Sequence, residues 1–305
     1  MSLFYNFIAY TIIRLCDFDY EKIADKFVIW SRFFVAINIV LAASKGWTVA
    51  YMTFANAMSL ATFFLLYSGV VLNRKHDLYF GIVSFILISL LGSRGGFMSV
   101  GIYCVILFLY SAKSTKKAFI SMAAVFLVLL ITLFWNEILS AFAYLLSRFG
   151  FNSRTILMIS QSKMLISNDR LSIYTYLVDI ILRNKWTGIG LCGDRYYLPF
   201  AFKEIDSVYA HNIVIELLAD YGLIIGVAIL LYIVLLFCTK LFFHRHINYK
   251  KRMFYFAFFS CFFLQLMVSR SYLNEPGIYA FIAMLVNERK EMRINGQRDY
   301  SNLQE

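Results

Sequence analysis

Proline is nearly missing from this sequence: there are two in 305 residues, Pro199 and Pro276. Proline breaks helices because its φ is fixed and it has no N–H to donate, so long helical runs meet little obstruction here. Charge is scarce too, at 15% Asp, Glu, Lys and Arg, against roughly a quarter in soluble domains. The five cysteines, Cys16, Cys104, Cys192, Cys238 and Cys261, stand apart from one another. They form no CxxC pair and no Cys/His grouping, so neither a disulfide framework nor a metal site is expected. His244-x-His246 sits in a basic turn and reads as a solvated loop. The N-terminus has no basic leader followed by a small-residue cleavage site, so no cleaved signal peptide is expected. No fixed-period repeat occurs, and no matched pair of Gly/Pro-broken segments of the kind inverted-repeat transporters carry.

What remains is apolar: 61% of residues, with 18% aromatic. Runs at 28–43, 47–72, 96–111, 118–135, 222–239 and 253–268 approach the roughly 20 residues that cross a hydrocarbon core of ~30 Å. The expectation is an all-α, polytopic membrane protein. Spans are read at 27–43, 47–72, 78–92, 95–111, 117–139, 222–240, 252–269 and 275–287. The apolar stretch 1–15 is either a ninth span or an interfacial segment.

The net charge of +11 is distributed as the positive-inside rule requires, so no nucleic-acid partner is expected. Arg74, Lys75, Lys113, Lys116, Lys117, Lys240, Arg245, Lys250, Lys251, Arg252, Arg289, Lys290, Arg293 and Arg298 mark one side, and only Lys45, Arg94 and Arg270 occupy the opposite short turns. That places 73–77, 112–117, 240–252 and the tail in the cytoplasm, and 92–95, 270–275 and about 140–210 outside. The chain divides into N-terminal transmembrane helices (1–139), an extracytoplasmic helical loop (140–221), C-terminal transmembrane helices (222–287) and a cytoplasmic tail (288–305).

Three stretches on the outer side carry polar chemistry. In "GSRGGFMSVG" (92–101), Arg94 is either a snorkelling arginine among packed glycines or a cation awaiting an anionic headgroup. The outer loop holds eight basic residues against five acidic ones between 140 and 210. Within it, "SNDRLSIYTYLVDIILRNKWTGIG" predicts a helix, with Tyr174, Leu177, Val178, Ile181 and Leu182 on its apolar face. Asn168 or Asp169 is its expected N-cap, and Asn184 to Gly188 its stop. Arg170 falls in the first turn, where backbone N–H groups and the helix dipole favour an anion; an ion pair with Asp169 or Glu204 is the alternative. In "SVYAHNIVIELLADYGLIIG" (207–226), His211 and Asn212 open a short helix expected to lie at the outer surface and turn at Tyr221-Gly222 into the span. Glu216 and Asp220 share a face of it and read as interfacial polar groups. The aromatics Tyr174, Tyr176, Trp186, Tyr196 and Tyr197 suit sugar stacking and an interfacial belt equally.

Taken in order, "SRGG", "DRLSIYTYLVDIILRNKWTGIG" and "HNIVIELLADYGLIIG" resemble the O-antigen polymerase and O-antigen ligase superfamily of bacterial membrane glycosyltransferases, over about residues 78–240. Lys185-Trp186-Thr187 stands where that family usually has a proline before its glycine turn, and family members usually have more spans. The resemblance implies that Arg94 and Arg170 hold the pyrophosphate of an undecaprenyl-linked sugar donor and that His211 activates the acceptor hydroxyl. It implies metal-independent, inverting transfer with no cofactor, at the outer face of the bacterial inner membrane. The expected activity is polymerisation of undecaprenyl-diphosphate-linked oligosaccharide repeat units into O-antigen or capsule. The alternatives are a ligase acting on lipid A-core and, in another class, a transporter or flippase of lipid-linked saccharides. A carrier would need midplane ionisable residues and internal symmetry, and neither is evident. The implied partners are the lipid-linked oligosaccharides and membrane lipid, with a chain-length regulator protein as a further candidate.

Overall fold

The computed structural model describes residues 2–16, 19–45, 51–90, 94–111, 168–202, 209–243, 247–268 and 270–287. The expected span 117–139, the first part of the outer loop and the tail 288–305 lie outside these residues. Every regular element among the described residues is helical, as expected of apolar runs that must satisfy their backbone internally. The chain divides into two compact units.

One unit holds Glu21–Thr175 and Tyr249–Gln265. It contains α2 (Tyr20–Lys45), α3 (Tyr51–Val71), α4 (Lys75–Leu90), α5 (Arg94–Ser111) and the start of α6 (Asn168–Arg183). Its core is aromatic. Phe63, Phe64, Tyr67, Tyr103, Phe254 and Phe256 are fully buried, Phe27 stacks on Phe64 at 4.4 Å, and Phe63 meets Tyr103 edge-on at 5.3 Å. The polar residues inside these helices find partners, which an apolar surround demands. Thr62 and Ser84 share a hydrogen bond of 2.6 Å, Gln265 Nε2 donates to Ser59 Oγ at 2.7 Å, and Tyr103 Oη donates to the Met253 carbonyl at 3.2 Å. Asp77, in the first turn of α4, receives a two-pronged guanidinium from Arg32 at 2.6 and 2.8 Å and the Ser68 hydroxyl at 2.5 Å.

The other unit holds Met1–Tyr20, Tyr176–Asn248 and Leu266–Glu305. Its helices are α1 (Ser2–Leu15), the rest of α6, α7 (Gly193–Ala201), α8 (Ile213–Phe237) and α10 (Pro276–Asn287); α9 (Tyr249–Phe258) belongs to the first unit. Asn6 Nδ2 donates to the Leu273 carbonyl at 2.8 Å, and Asn287 Nδ2 donates to the Ile13 carbonyl at 2.6 Å, tying α1 to the C-terminal helix region. A π-helical turn, Cys238–Phe242, continues α8. Together Ile213–Phe242 is the one helix among the described residues long and apolar enough to cross a membrane. Four shorter apolar helices accompany it: Leu3–Leu15, Ala57–Val71, Gly95–Tyr110 and Pro276–Asn287.

The predicted loop helix is present as α6, with one difference. Its described residues start at Asn168, and the side chains of the expected caps, Asn168 and Asp169, lie outside the description. Its buried face is Ile173, Leu177, Ile180 and Ile181, while Val178 and Leu182 are exposed. Apolar residues surround most of this helix, so periodicity alone does not single out the face that packs.

Candidate functional site: a polar junction ahead of the spanning helix

The expected turn at Tyr221-Gly222 is present. Gly222 has φ 74 and ψ 179, which interrupts α8 and separates a short leading helix, Ile213 onward, from the spanning part. Such a break orphans carbonyls and N–H groups on both sides of it. The loop after α6 supplies partners to three of them. Ile189 N–H donates to the Ala219 carbonyl at 2.8 Å, Gly190 N–H to the Asp220 carbonyl at 3.0 Å, and Leu223 N–H to the Lys185 carbonyl at 2.8 Å. The fit requires glycine on both faces. A Cβ on Gly188 (φ 68) would stand 2.5 Å from the Asp220 carbonyl oxygen, and one on Gly222 would stand 2.8 Å from Gly188 N and the Trp186 carbonyl. The glycine turn therefore forms without the proline the family usually places before it.

Asn212 caps the leading helix: its Oδ1 accepts from Val214 N–H at 2.9 Å and Ile215 N–H at 3.3 Å, and its Nδ2 donates to the Met267 carbonyl at 3.2 Å. His211, one residue earlier, has φ 55, a conformation found in only a few per cent of non-glycine residues. Its ring lies 4.0 Å from that of Tyr209, inclined at 43°.

Glu216 and Asp220, which read from sequence as interfacial polar groups, are buried inside the protein, and each is held from the 270–275 turn. Ser271 donates its hydroxyl to Glu216 Oε1, Tyr272 N–H reaches Glu216 Oε2 at 3.4 Å, and Tyr272 Oη donates to Asp220 Oδ2 at 2.6 Å. From α7, Arg195 Nη2 donates to Ser271 Oγ at 2.5 Å and stands 3.5 Å from Glu216 Oε1. Asp194, also buried, accepts from its neighbour Arg195 N–H at 2.8 Å and from Ala210 N–H at 3.1 Å, fastening α7 to the backbone just before His211. Burial raises the carboxyl of Asp194, with the Ala210 N–H opposing it.

Of the three residues singled out from sequence, His211 falls at this junction. Arg94 is the first residue of α5 and Arg170 the third of α6; their side chains lie outside the description. Sequence reading passed over Arg195, Asp194, Ser271 and Tyr272. The one signal available for Arg195 was a base in a loop on the side where the topology rule asks for none.

Among the described residues, buried polar groups gather at the entry of the one helix long and apolar enough to cross a membrane. The profile of the O-antigen ligase family matches residues 79–231, half of the chain, and the chain belongs to that family. Its members, ligases and polymerases, are glycosyltransferase-like enzymes of the inner membrane that act in lipopolysaccharide biosynthesis. The matched segment contains Arg94, Arg170, Arg195, His211, Glu216 and Gly222. No curated protein and no solved structure matches the chain.

Proposed function

We propose that the chain is a multi-pass polysaccharide polymerase, with eight or nine spans, that joins undecaprenyl-diphosphate-linked repeat units at the periplasmic face of the inner membrane into O-antigen or capsule. His211 accepts the proton of an acceptor hydroxyl as that oxygen attacks the anomeric carbon of the donor. The bond from that carbon to the diphosphate oxygen breaks with inversion, and undecaprenyl diphosphate leaves with the electron pair. Arg94 and Arg170 stabilise the charge that develops on it, with no metal required.

The observation that carries this reading is His211: a histidine in a left-handed backbone conformation directly before the cap of the pre-span helix, inside the family match. Unusual backbone states of this kind cluster at working sites. An imidazole, with an ordinary pKa near 6.5, is suited to taking a proton at neutral pH. Arg94 and Arg170 each stand at the start of a helix, where the dipole and free N–H groups favour an anion. Lipid-linked oligosaccharides and membrane lipid are the partners in this reading, with a chain-length regulator protein as a further candidate. A second reading keeps the chemistry and changes the acceptor to lipid A-core, since the matching family holds ligases as well as polymerases.

The test places the purified protein in lipid nanodiscs with an undecaprenyl-diphosphate repeat unit from its own strain, with EDTA present, and reads products by mass spectrometry. A ladder of oligomers from wild type, lost in His211→Gln, is expected. Equal ladders from both would overturn the base assignment. Product only after addition of lipid A-core assigns the ligase reading, and no product with either acceptor refutes the enzyme reading.

A further inference from the structure

Arg195 does more than neutralise a buried carboxylate. Its Nη2 is clamped by the Ser271 hydroxyl at 2.5 Å and by Glu216 at 3.5 Å. The guanidinium carbon stands 5.8 Å from the centroid of the Tyr209 ring, within the ~6 Å over which a cation is held on an aromatic face. The Tyr209 ring in turn lies 4.0 Å from the His211 ring. Asp194, next to Arg195, receives the Ala210 N–H between those two aromatic residues. The arrangement is therefore tied twice to α7, through the side chain of Arg195 and through the carboxylate of Asp194.

We propose that Arg195 is a positioning residue: anchored by Glu216 and Ser271, it fixes Tyr209, and the Tyr209 ring fixes the orientation of the His211 imidazole. The inference rests on the reading of His211 as the base. A base must meet its proton within hydrogen-bond reach. The Tyr209 ring, 4.0 Å away and inclined at 43°, bears on the imidazole, and the guanidinium restrains that ring. The buried Glu216 and the turn at Ser271 hold the guanidinium so that it does not drift into solvent. In this role the carboxylate of Glu216 acts on the imidazole through two intermediaries, which fits its sequence separation of five residues, the wrong interval for direct contact on a helix.

The test uses the full chain in nanodiscs with selectively ¹⁵N-labelled histidine, the His211 resonances being identified by their loss in His211→Gln. The variants are Arg195→Met, Tyr209→Leu and Tyr209→Phe, with turnover measured on the lipid-linked repeat unit. Arg195→Met strips a buried carboxylate of its partner and is liable to misfold; Tyr209→Leu leaves the clamp of Arg195, Glu216 and Ser271 in place.

In both Arg195→Met and Tyr209→Leu the His211 resonances should move, and kcat should fall roughly 10- to 100-fold, the scale of a misplaced catalytic group. KM should change little. The double variant should be about as slow as the slower single, because both act along one path. Tyr209→Phe should recover most of the kcat lost in Tyr209→Leu. Unmoved His211 resonances in either Tyr209→Leu or folded Arg195→Met overturn the inference. Resonances that move while His211→Gln turns over like wild type overturn the base assignment and leave the positioning of the imidazole standing.

Discussion

Gly222→Ala isolates the physical reason for the break ahead of the spanning helix. At φ 74 and ψ 179 the backbone lies in a region essentially reserved for glycine, and a side chain there costs about 1–3 kcal/mol. The added Cβ would also stand 2.8 Å from Gly188 N and the Trp186 carbonyl group, and backbone cannot give way as a side-chain tip can. The 185–190 segment would have to retreat, placing at risk the three hydrogen bonds that join it to Ala219, Asp220 and Leu223. Each is worth about 1 kcal/mol net, so the expected loss is on the order of 5 kcal/mol.

Gly190→Ala is the matched control. Gly190 also has positive φ, at 88, but a Cβ on it meets nothing within 4 Å. Only the left-handed strain of about 1–2 kcal/mol remains. At about 2 °C per kcal/mol for a chain of this length, thermal unfolding in nanodiscs should show Gly222→Ala lower by roughly 10 °C. Gly190→Ala should fall by roughly 2–4 °C on the same scale. Equal shifts in the two variants would refute the close-approach argument, whatever their size.

Other perturbations follow from the same geometry. Asp77→Asn breaks the two-pronged contact with Arg32 around a buried carboxylate, and the melting temperature should fall by several degrees. Asp25→Asn, which loses an exposed pair with Arg74, should shift it by no more than about 1–2 °C, the scale of a surface pair; the reverse order would count against burial as the cause. Ser271→Ala removes a hydroxyl that donates to Glu216 and accepts from Arg195 and from Leu273 N–H. The cost should be about 1–3 kcal/mol, and an unchanged unfolding midpoint would show the cluster to be slack. Arg94→Lys and Arg170→Lys keep the charge but lose the planar fork. Each should lower turnover on the order of tenfold, the scale of a weakened charge-assisted contact, and full activity in both would argue against pyrophosphate clamping.

The parts of this molecule legible in its sequence are those that local pattern controls. Apolar runs with almost no proline led to spans read at 27–43, 47–72, 78–92 and 95–111, where helices occupy Tyr20–Lys45, Tyr51–Val71, Lys75–Leu90 and Arg94–Ser111, and Tyr221-Gly222 led to the break in α8. The number of spans is a different matter, because 117–139 lies outside the described residues and only Ile213–Phe242 meets the length and hydropathy of a span unaided. The polar junction was largely illegible. Ser271 and Tyr272 reach Glu216 and Asp220 across more than fifty residues of chain, a relation no periodicity encodes. Arg195 was one base among eight in the outer loop until α7 brought it to Glu216. The face of α6 was misjudged because Val178 and Leu182 are as apolar as Ile173 and Ile180, so that hydrophobicity could not rank them.

The seam between the 184–190 turn and the break in α8 is made of main-chain groups and two glycines, and this frees much of the neighbouring surface for change. Tyr196, Tyr197 and Phe200 on α7 and Leu171, Val178 and Leu182 on α6 face outward and contribute no side chain to the join. These six positions can therefore be exchanged one at a time, leaving the attachment of the loop to the span intact, while Gly188 and Gly222 admit no such drift.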